Sequence, residues 1–416
     1  MNKFYIQGPT ILNGEIKISG SKNSALPILF LSLLSKSPIK ISNVPKIKDV
    51  TIAIKLLTHI GVKIKFSDVI IFDASHLTTC QVPYKLVRKI RASIWLLSPL
   101  LIRFKKVCID FPGGCSIGSR PINLHIYGLK KLGAKFIINK NYIKVYTTKN
   151  LQGTIIYMPL ISVGATITVI GAAILANGIT IIKNAAREPE ITDLVKFLNK
   201  LGAKIFGVGT STIYIQGVNK LHSEQYYISP DRIETGTFLI AAAISKGNIT
   251  CTHTNPNVLK SVINILCSTG AKITCGKTWI NLNMYNKRPK SVNVCTSPYP
   301  GFPTDLQPQI TLLNLIAVGN SIITETIFEN RYTHISELTK MGAKNKTKKN
   351  LLKCYGVNKL FGNYVIGKDL RSTATLILAG CIAEGITIVN NIFHVRRGYE
   401  RIEKKLNSLG AKITLI

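Results

Sequence analysis

Acidic residues are scarce in this chain, arginines scarcer, and no cysteine has a second cysteine close by. Asp and Glu number 19 against 54 Lys and Arg, a formal charge of +35 over 416 residues. An excess of that size ordinarily points to a nucleic-acid partner. Only 12 of the basic residues are Arg, however, and the 42 Lys are spread along the whole chain among abundant Ile and Asn, as an AT-biased coding sequence produces. They form no stripe with interleaved aromatics, so no nucleic-acid partner is expected. The nine cysteines contain no Cys-x-x-Cys pair and no Cys/His grouping at zinc spacing, which argues against a disulfide framework and against a structural metal. Long apolar runs are also missing. The longest, Ile161 to Ala176, is interrupted by Ser162, Thr166 and Thr168 and is shorter than a membrane span. The opening MNKFYIQGPT has no signal-peptide core. A cytoplasmic protein without a membrane partner is expected.

What the chain does have is a repeat. A glycine followed mostly by Ala-Lys and a strand-like run begins at Gly61, Gly133, Gly202, Gly270, Gly342 and Gly410, at intervals of 72, 69, 68, 72 and 68. Before each copy stand an apolar helical run, a turn, a strand and an amphipathic helix. In the fifth unit these are Thr311 to Val318 as helix, Asn320 to Glu325 as strand and Ile335 to Met341 as second helix. Counted from Arg371 the last unit has only 46 residues. Residues 1–21, whose Phe4, Ile6, Ile16 and Ile18 read as a strand pair, would close it and bring the termini together. A chain this long is too large for one ordinary core. Six α/β units divide into three and three: a first domain over 22–229, and a second, discontinuous, over 1–21 plus 230–416. A ligand cleft is expected between them.

The apolar helices begin at Lys22-Asn23, Arg91, Ser162-Val163-Gly164, Arg232, Asp305 and Arg371, again near one period apart. Helix N-termini each act as roughly half a positive charge and offer free N–H groups to anionic oxygens. Lys22, Arg91, Arg120, Arg331, Arg371 and Arg397 lie at these starts or in loops between strand and helix. Cations there oppose the helix dipole, so a ligand with several phosphate or carboxylate groups is the better reading.

The stretches GPTILNGEIKISGSKNSALPILFLSLL, RASIWLLSPLL, FPGGCSIGSRPINLHIYGL, NAAREPEITD, PDRIETGTF, FPTDLQPQ, ITETIFENRY and RRGYERIE closely resemble the enolpyruvyl transferase family, in its branch of UDP-N-acetylglucosamine 1-carboxyvinyltransferases. The resemblance covers essentially the whole chain. It implies two inside-out α/β barrel domains of three units each. It also implies transfer of an enolpyruvyl group from phosphoenolpyruvate to the 3′-hydroxyl of UDP-N-acetylglucosamine, the opening step of peptidoglycan synthesis, with no metal or organic cofactor. The small molecules phosphoenolpyruvate and UDP-N-acetylglucosamine would be its partners, and the protein would be a monomer.

By the same resemblance, Cys115, in the glycine-rich loop Pro112 to Arg120, is the acid that protonates C3 of phosphoenolpyruvate and the thiol that fosfomycin-type inhibitors alkylate. Asp305 is the base for the 3′-hydroxyl. Lys22, Arg120 and Arg397 cradle phosphoenolpyruvate, and Asn23 bonds the reacting centre. Arg120, Pro121, Ile122, Asn123 and Leu124 form the uridine-binding stretch, Ser162, Val163 and Gly164 the diphosphate-binding helix start, and Ile327 an apolar wall. Arg91, Arg331 and Arg371 line the cleft, with Asp49, Glu188, Glu190, Glu329 and Asp369 holding the cations. His125, following Leu124, is a site neighbour or a helix cap.

Two positions depart from the family pattern. Pro159-Leu160-Ile161 replaces an Asp-Lys pair, removing a cation from the diphosphate site, and Arg396 replaces an acidic residue beside Arg397. Two other readings remain: the sister transferase acting on shikimate 3-phosphate, against which the PGGCSIGSRP loop speaks, and a non-catalytic basic scaffold, against which the intact Cys115, Asp305, Lys22 and Arg397 speak.

Overall fold

The computed structural model describes residues 3–67, 69–111, 113, 122–139 and 141–416. The repeated phrase has a direct structural cause. All six of its glycines end a helix in the left-handed region, with φ between +93 and +105°, where a side chain would be strained. Gly61 and Gly410 each donate to the carbonyl three residues back, and the residue that follows donates to the carbonyl five back, the Schellman closure. That following residue (Val62, Ala134, Ala203, Ala271, Ala343 or Ala411) is buried, and the Lys after it points outward at the start of a strand.

The fifth repeat shows the unit. Strand Asn320–Thr324 is followed by helix Ile335–Lys340 and by the hairpin Lys344–Lys348 and Leu351–Tyr355, whose second strand runs antiparallel to both neighbours. Val294–Cys295 adds a parallel edge. Alternate residues Ser321, Ile323, Leu352 and Cys354 face inward, the period of two that a half-buried sheet imposes. Among the described residues there are five four-stranded sheets and one of three strands. In the three-stranded sheet the single parallel bridge Gln81–Cys108 stands where the others have a fourth strand.

Helices apolar on every side must be buried on every side. Lys22–Leu31, Leu97–Phe104 and Val163–Ala173 fill one core; Arg232–Ile244, Gln307–Ile316 and Leu370–Ile382 fill the other. The sheets lie outside them, the inverse of a helix-wrapped sheet. Close approach requires small residues: a methyl at Gly171 would meet Leu31 Cδ2 at 2.5 Å and Ser98 at 3.2 Å.

The chain divides into two compact units, 20–113 with 122–229, and 3–19 with 230–416. In the second, Phe4–Gly8 lies antiparallel between Gly385–Asn390 and Lys412–Leu415, and Lys3 and Ile416 exchange backbone hydrogen bonds of 2.8 and 2.9 Å. The termini are therefore adjacent. The strand pair expected over residues 1–21 does not form, however. Asn13–Lys17 pairs parallel with Asn248–Thr252, in the sheet of the fourth repeat.

The reason is an exchange. In four repeats the edge strand, or the bridge in its place, pairs with the strand that follows its own apolar helix. At the two places where the chain passes from one unit to the other the edges are traded, so that Gln225–Tyr227 pairs with Ile39–Ser42 while Asn13–Lys17 serves Asn248–Thr252.

Candidate active site

In the unit 20–229, Ser21 caps helix Lys22–Leu31 by accepting from Ser24 N at 3.2 Å. Lys22 Nζ meets Asp49 Oδ2 at 2.8 Å, with side-chain exposures of 13 and 3%. Asp49 lies in the first turn of helix Lys48–Ile60, where a carboxylate also suits the dipole. The half-buried Asn23 stands next to Lys22.

A second cluster forms around the start of helix Val163–Ala173, capped by Ser162, whose Oγ accepts from Ala165 N at 3.3 Å. Trp95 Nε1 donates to Gly164 O at 3.1 Å, and a methyl at Gly164 would lie 3.2 Å from the His125 ring. His125 is buried, with Nδ1 2.7 Å from Thr168 Oγ1. Burial, with Arg91 as the nearby charge, pushes its pKa down to about 3. The imidazole is therefore neutral and acts as a packed polar group, not as an N-terminal cation. Arg91 opens the 3₁₀ turn Arg91–Leu96, and Ile122, Asn123 and Leu124 open helix Asn123–Lys131. Leu160 and Ile161 are exposed apolar side chains. Glu188 and Glu190 stand at the start of helix Pro189–Lys200, Glu190 buried.

In the unit formed by 3–19 and 230–416, Asp305 lies between two guanidinium groups. Arg331 Nη2 donates to its Oδ1 and Arg371 Nη2 to its Oδ2, each at 2.8 Å. The arginines are 2 and 4% exposed and the aspartate 28%, so the carboxylate reaches solvent from a buried cationic backing that favours its ionised form. Arg331 also donates to Thr304 O at 2.9 and 3.1 Å. Burial opposes the charge of Arg371, but Asp305, Tyr399 and Asp231 outweigh it and raise the pKa above the usual arginine value.

Asp369 caps helix Leu370–Ile382 in a capping box with Ser372 and accepts from Thr333 Oγ1 at 2.5 Å. Burial works against its charge, yet these bonds and Arg331 lower its pKa. Arg397 ends the short 3₁₀ turn Val395–Arg397, and the Nε of its neighbour Arg396 is buried without a hydrogen-bond partner among the described residues.

Of the supporting carboxylates expected from sequence, Glu329 is exposed and makes no ion pair among the described residues. Glu325, four residues earlier, is buried and accepts from Ile327 N at 2.8 Å, Phe328 N at 3.2 Å and Thr304 Oγ1 at 3.0 Å. Ile327 is half-buried beside it. Sequence reasoning also missed Trp95, one helical turn after Arg91, and Asp231, directly before Arg232. Cys115, Arg120 and Pro121 lie outside the described residues. Among those described, no three His, Cys, Asp or Glu side chains meet as a metal site requires, and no helix is long and apolar enough to cross a membrane.

The chain as a whole matches known proteins in sequence and in fold. The chain belongs to the EPSP synthase (3-phosphoshikimate 1-carboxyvinyltransferase) family, whose model matches residues 6–406.

Within it, the chain is 58% identical over 414 residues to the UDP-N-acetylglucosamine 1-carboxyvinyltransferase of Buchnera aphidicola subsp. Baizongia pistaciae, covering 99% of this chain and 100% of that one. It is 57% identical over 413 residues to the protein of the same name from Wigglesworthia glossinidia brevipalpis, covering 99% of each. The fold is that of the enolpyruvyl transferase NikO of Streptomyces tendae (TM-score 0.90, 23% identity, 100 and 98% of the two chains) and of EPSP synthase from Acinetobacter baumannii (TM-score 0.77, 16% identity, 100% of both).

Proposed function

We propose that this chain transfers the enolpyruvyl group of phosphoenolpyruvate to the 3′-hydroxyl of UDP-N-acetylglucosamine, releasing phosphate, as the first committed step of peptidoglycan synthesis. The observation that carries this reading is the full-length identity of 58% to an enzyme of that name. The supporting geometry is the Asp305 carboxylate held between Arg331 and Arg371.

C2 of phosphoenolpyruvate is not electrophilic until C3 has been protonated, so the reaction needs an acid, a base and a cationic cradle. Cys115 supplies the proton to C3. Asp305 takes the proton of the 3′-hydroxyl as its oxygen bonds to C2, forming a tetrahedral adduct. Loss of a proton from C3 and breakage of the C2–O bond to phosphate complete the exchange. Lys22, Arg120 and Arg397 neutralise the phosphate and carboxylate and stabilise the charge that develops on the leaving group. Asp49 fixes Lys22. The stretch 120–124, the helix start Ser162–Gly164 and Ile327 take the nucleotide sugar. Arg120 and the helix N–H groups serve the diphosphate without the cation that Leu160 replaces.

The domains of this reading are 22–229, carrying the Cys115 loop, and 1–21 with 230–416. The protein works in the cytoplasm as a monomer, and fosfomycin-type epoxides alkylate Cys115.

The test is phosphate release from phosphoenolpyruvate with UDP-N-acetylglucosamine or shikimate 3-phosphate as acceptor. Release is expected with the nucleotide sugar alone. Cys115→Ala and Asp305→Asn should each lower it by about 10²- to 10⁴-fold, the usual worth of a positioned acid or base. Release with shikimate 3-phosphate alone would move the chain to the sister reaction. Release with neither, from a folded protein, would leave the scaffold reading.

A further inference from the structure

The buried side of Arg371 rests on a polar group that the chemistry above does not use. Arg371 Cζ lies 5.3 Å from the centroid of the Tyr399 ring, within cation–π range. Tyr399 is 2% exposed and stands among apolar helices. Its hydroxyl is 2.8 Å from Thr237 Oγ1 and accepts from Gln309 Nε2 at 3.1 Å; Gln309 Nε2 also reaches Thr237 Oγ1 at 3.2 Å.

The proton directions follow from counting donors. Thr237 has one hydroxyl hydrogen and donates it to Ile233 O at 2.8 Å, so Tyr399 must donate to Thr237, and the two hydrogens of Gln309 Nε2 serve Tyr399 and Thr237. Burial pushes the Tyr399 phenol up, which keeps it a neutral donor. A polar trio in an otherwise apolar core is costly unless it is bonded as this one is, and once bonded it admits few orientations. Phenylalanine would fill the same space without the trio.

We infer that Tyr399 is a positioning residue for the base: anchored by Thr237 on helix Arg232–Ile244 and Gln309 on helix Gln307–Ile316, its ring sets the Arg371 guanidinium, which in turn sets Asp305 Oδ2. The inference rests on the functional reading above. Asp305 Oδ1 has a separate support, because Arg331 is held by Thr304 O and lies 5.8 Å from the Phe328 ring centroid. Tyr399 therefore acts through one arginine and not through the other.

A double-mutant comparison separates this from a general packing role. Tyr399→Leu should lower kcat about tenfold, within the range of a desolvated cation–π contact, while leaving KM for both substrates within about threefold. In an Arg371→Lys background the further loss should shrink to less than about twofold, whereas in an Arg331→Lys background the full loss should remain. Tyr399→Phe keeps the ring but frees it from Thr237 and Gln309, and should lose about threefold in kcat, less than Tyr399→Leu. Equal losses in both arginine backgrounds, or an unchanged kcat in Tyr399→Leu, would overturn the proposal.

If Tyr399→Leu does not fold, Tyr399→Phe, which retains the ring and removes the anchored hydroxyl, is read in the same two backgrounds, where its smaller loss should shrink with Arg371→Lys and remain with Arg331→Lys. If the native chain shows no transfer, the functional reading fails on its own. Positioning is then decided by NMR of arginine-labelled protein. The Arg371 Nε–H signal, identified by its loss in Arg371→Lys, should shift in Tyr399→Leu while that of Arg331 stays; unchanged signals from both would sink the inference.

Discussion

His125 is held neutral by what surrounds it, and that ties the fold to acidity. Thr168 occupies Nδ1, Gly164 leaves room for the ring, and Arg91 adds a repelling charge. Its folded pKa of about 3 lies below the ordinary histidine value of 6.5, so unfolding takes up a proton between about pH 3 and 6.5. The stabilisation is complete above that value and is lost as the pH falls from about 6.5 toward 3. His334 adds a loss of the same sign: burial lowers its pKa, with Arg331 reinforcing this and Asp369 opposing it. Between pH 6.5 and 5.5 the native chain should lose about 1 kcal/mol more than His125→Gln in urea unfolding, because the unfolded histidine goes from half to about nine-tenths protonated while the folded one stays neutral. Parallel stability curves for the two proteins would show that His125 is charged, or is exposed to solvent in the folded state.

At the scale of the element, the repeat is a helix ending written six times. Its glycines differ in how closely they are crowded, which permits a test. A methyl at Gly270 would have nothing within 4 Å, whereas at Gly61 it would meet Thr78 N at 2.8 Å. Gly270→Ala should therefore cost only the left-handed backbone term, roughly 1–2 kcal/mol, and Gly61→Ala distinctly more. Equal costs in urea unfolding would mean that the Thr78 segment yields freely. The same local chemistry explains why elements were legible in the sequence. Strand Asn320–Thr324 and helix Ile335–Lys340 fall where periodicity and the turn glycine place them, and Lys22, Arg232 and Arg371 each open an apolar helix or stand within one residue of its start, while Arg91 opens the 3₁₀ turn that leads into one. Partner choice was less legible. Glu325 and Glu329 are equally acidic in the sequence, and only folding of the loop after Thr324 turns the first inward to Thr304 and leaves the second in solvent. Tyr399 gave no signal because its partners Thr237 and Gln309 lie 162 and 90 residues away.

At the scale of the whole molecule, what a period of about 70 residues could not reveal is the exchange of edge strands. Asn13–Lys17 and Gln225–Tyr227 look alike as short strands ahead of apolar helices, and each pairs with the repeat that the other precedes. The exchange makes the two units unequal as fragments. Residues 20–229 contain every described strand of their three sheets. Residues 230–416 lack Phe4–Gly8, a strand flanked on both sides, and Asn13–Lys17. Phe4 and Ile6 are fully buried, and removing side chains of that kind costs about 2–5 kcal/mol each, together comparable with the about 5–15 kcal/mol that holds a domain folded. The fragment 230–416 should therefore not unfold cooperatively. Because Lys3 and Ile416 are hydrogen-bonded to each other, a short Gly/Ser linker from Ile416 to a copy of residues 1–19 spans little distance and restores both strands. The joined fragment should regain a sigmoidal urea transition and a native near-ultraviolet circular dichroism spectrum. If 230–416 shows these by itself, the N-terminal strands are accessories to that unit and not part of its core.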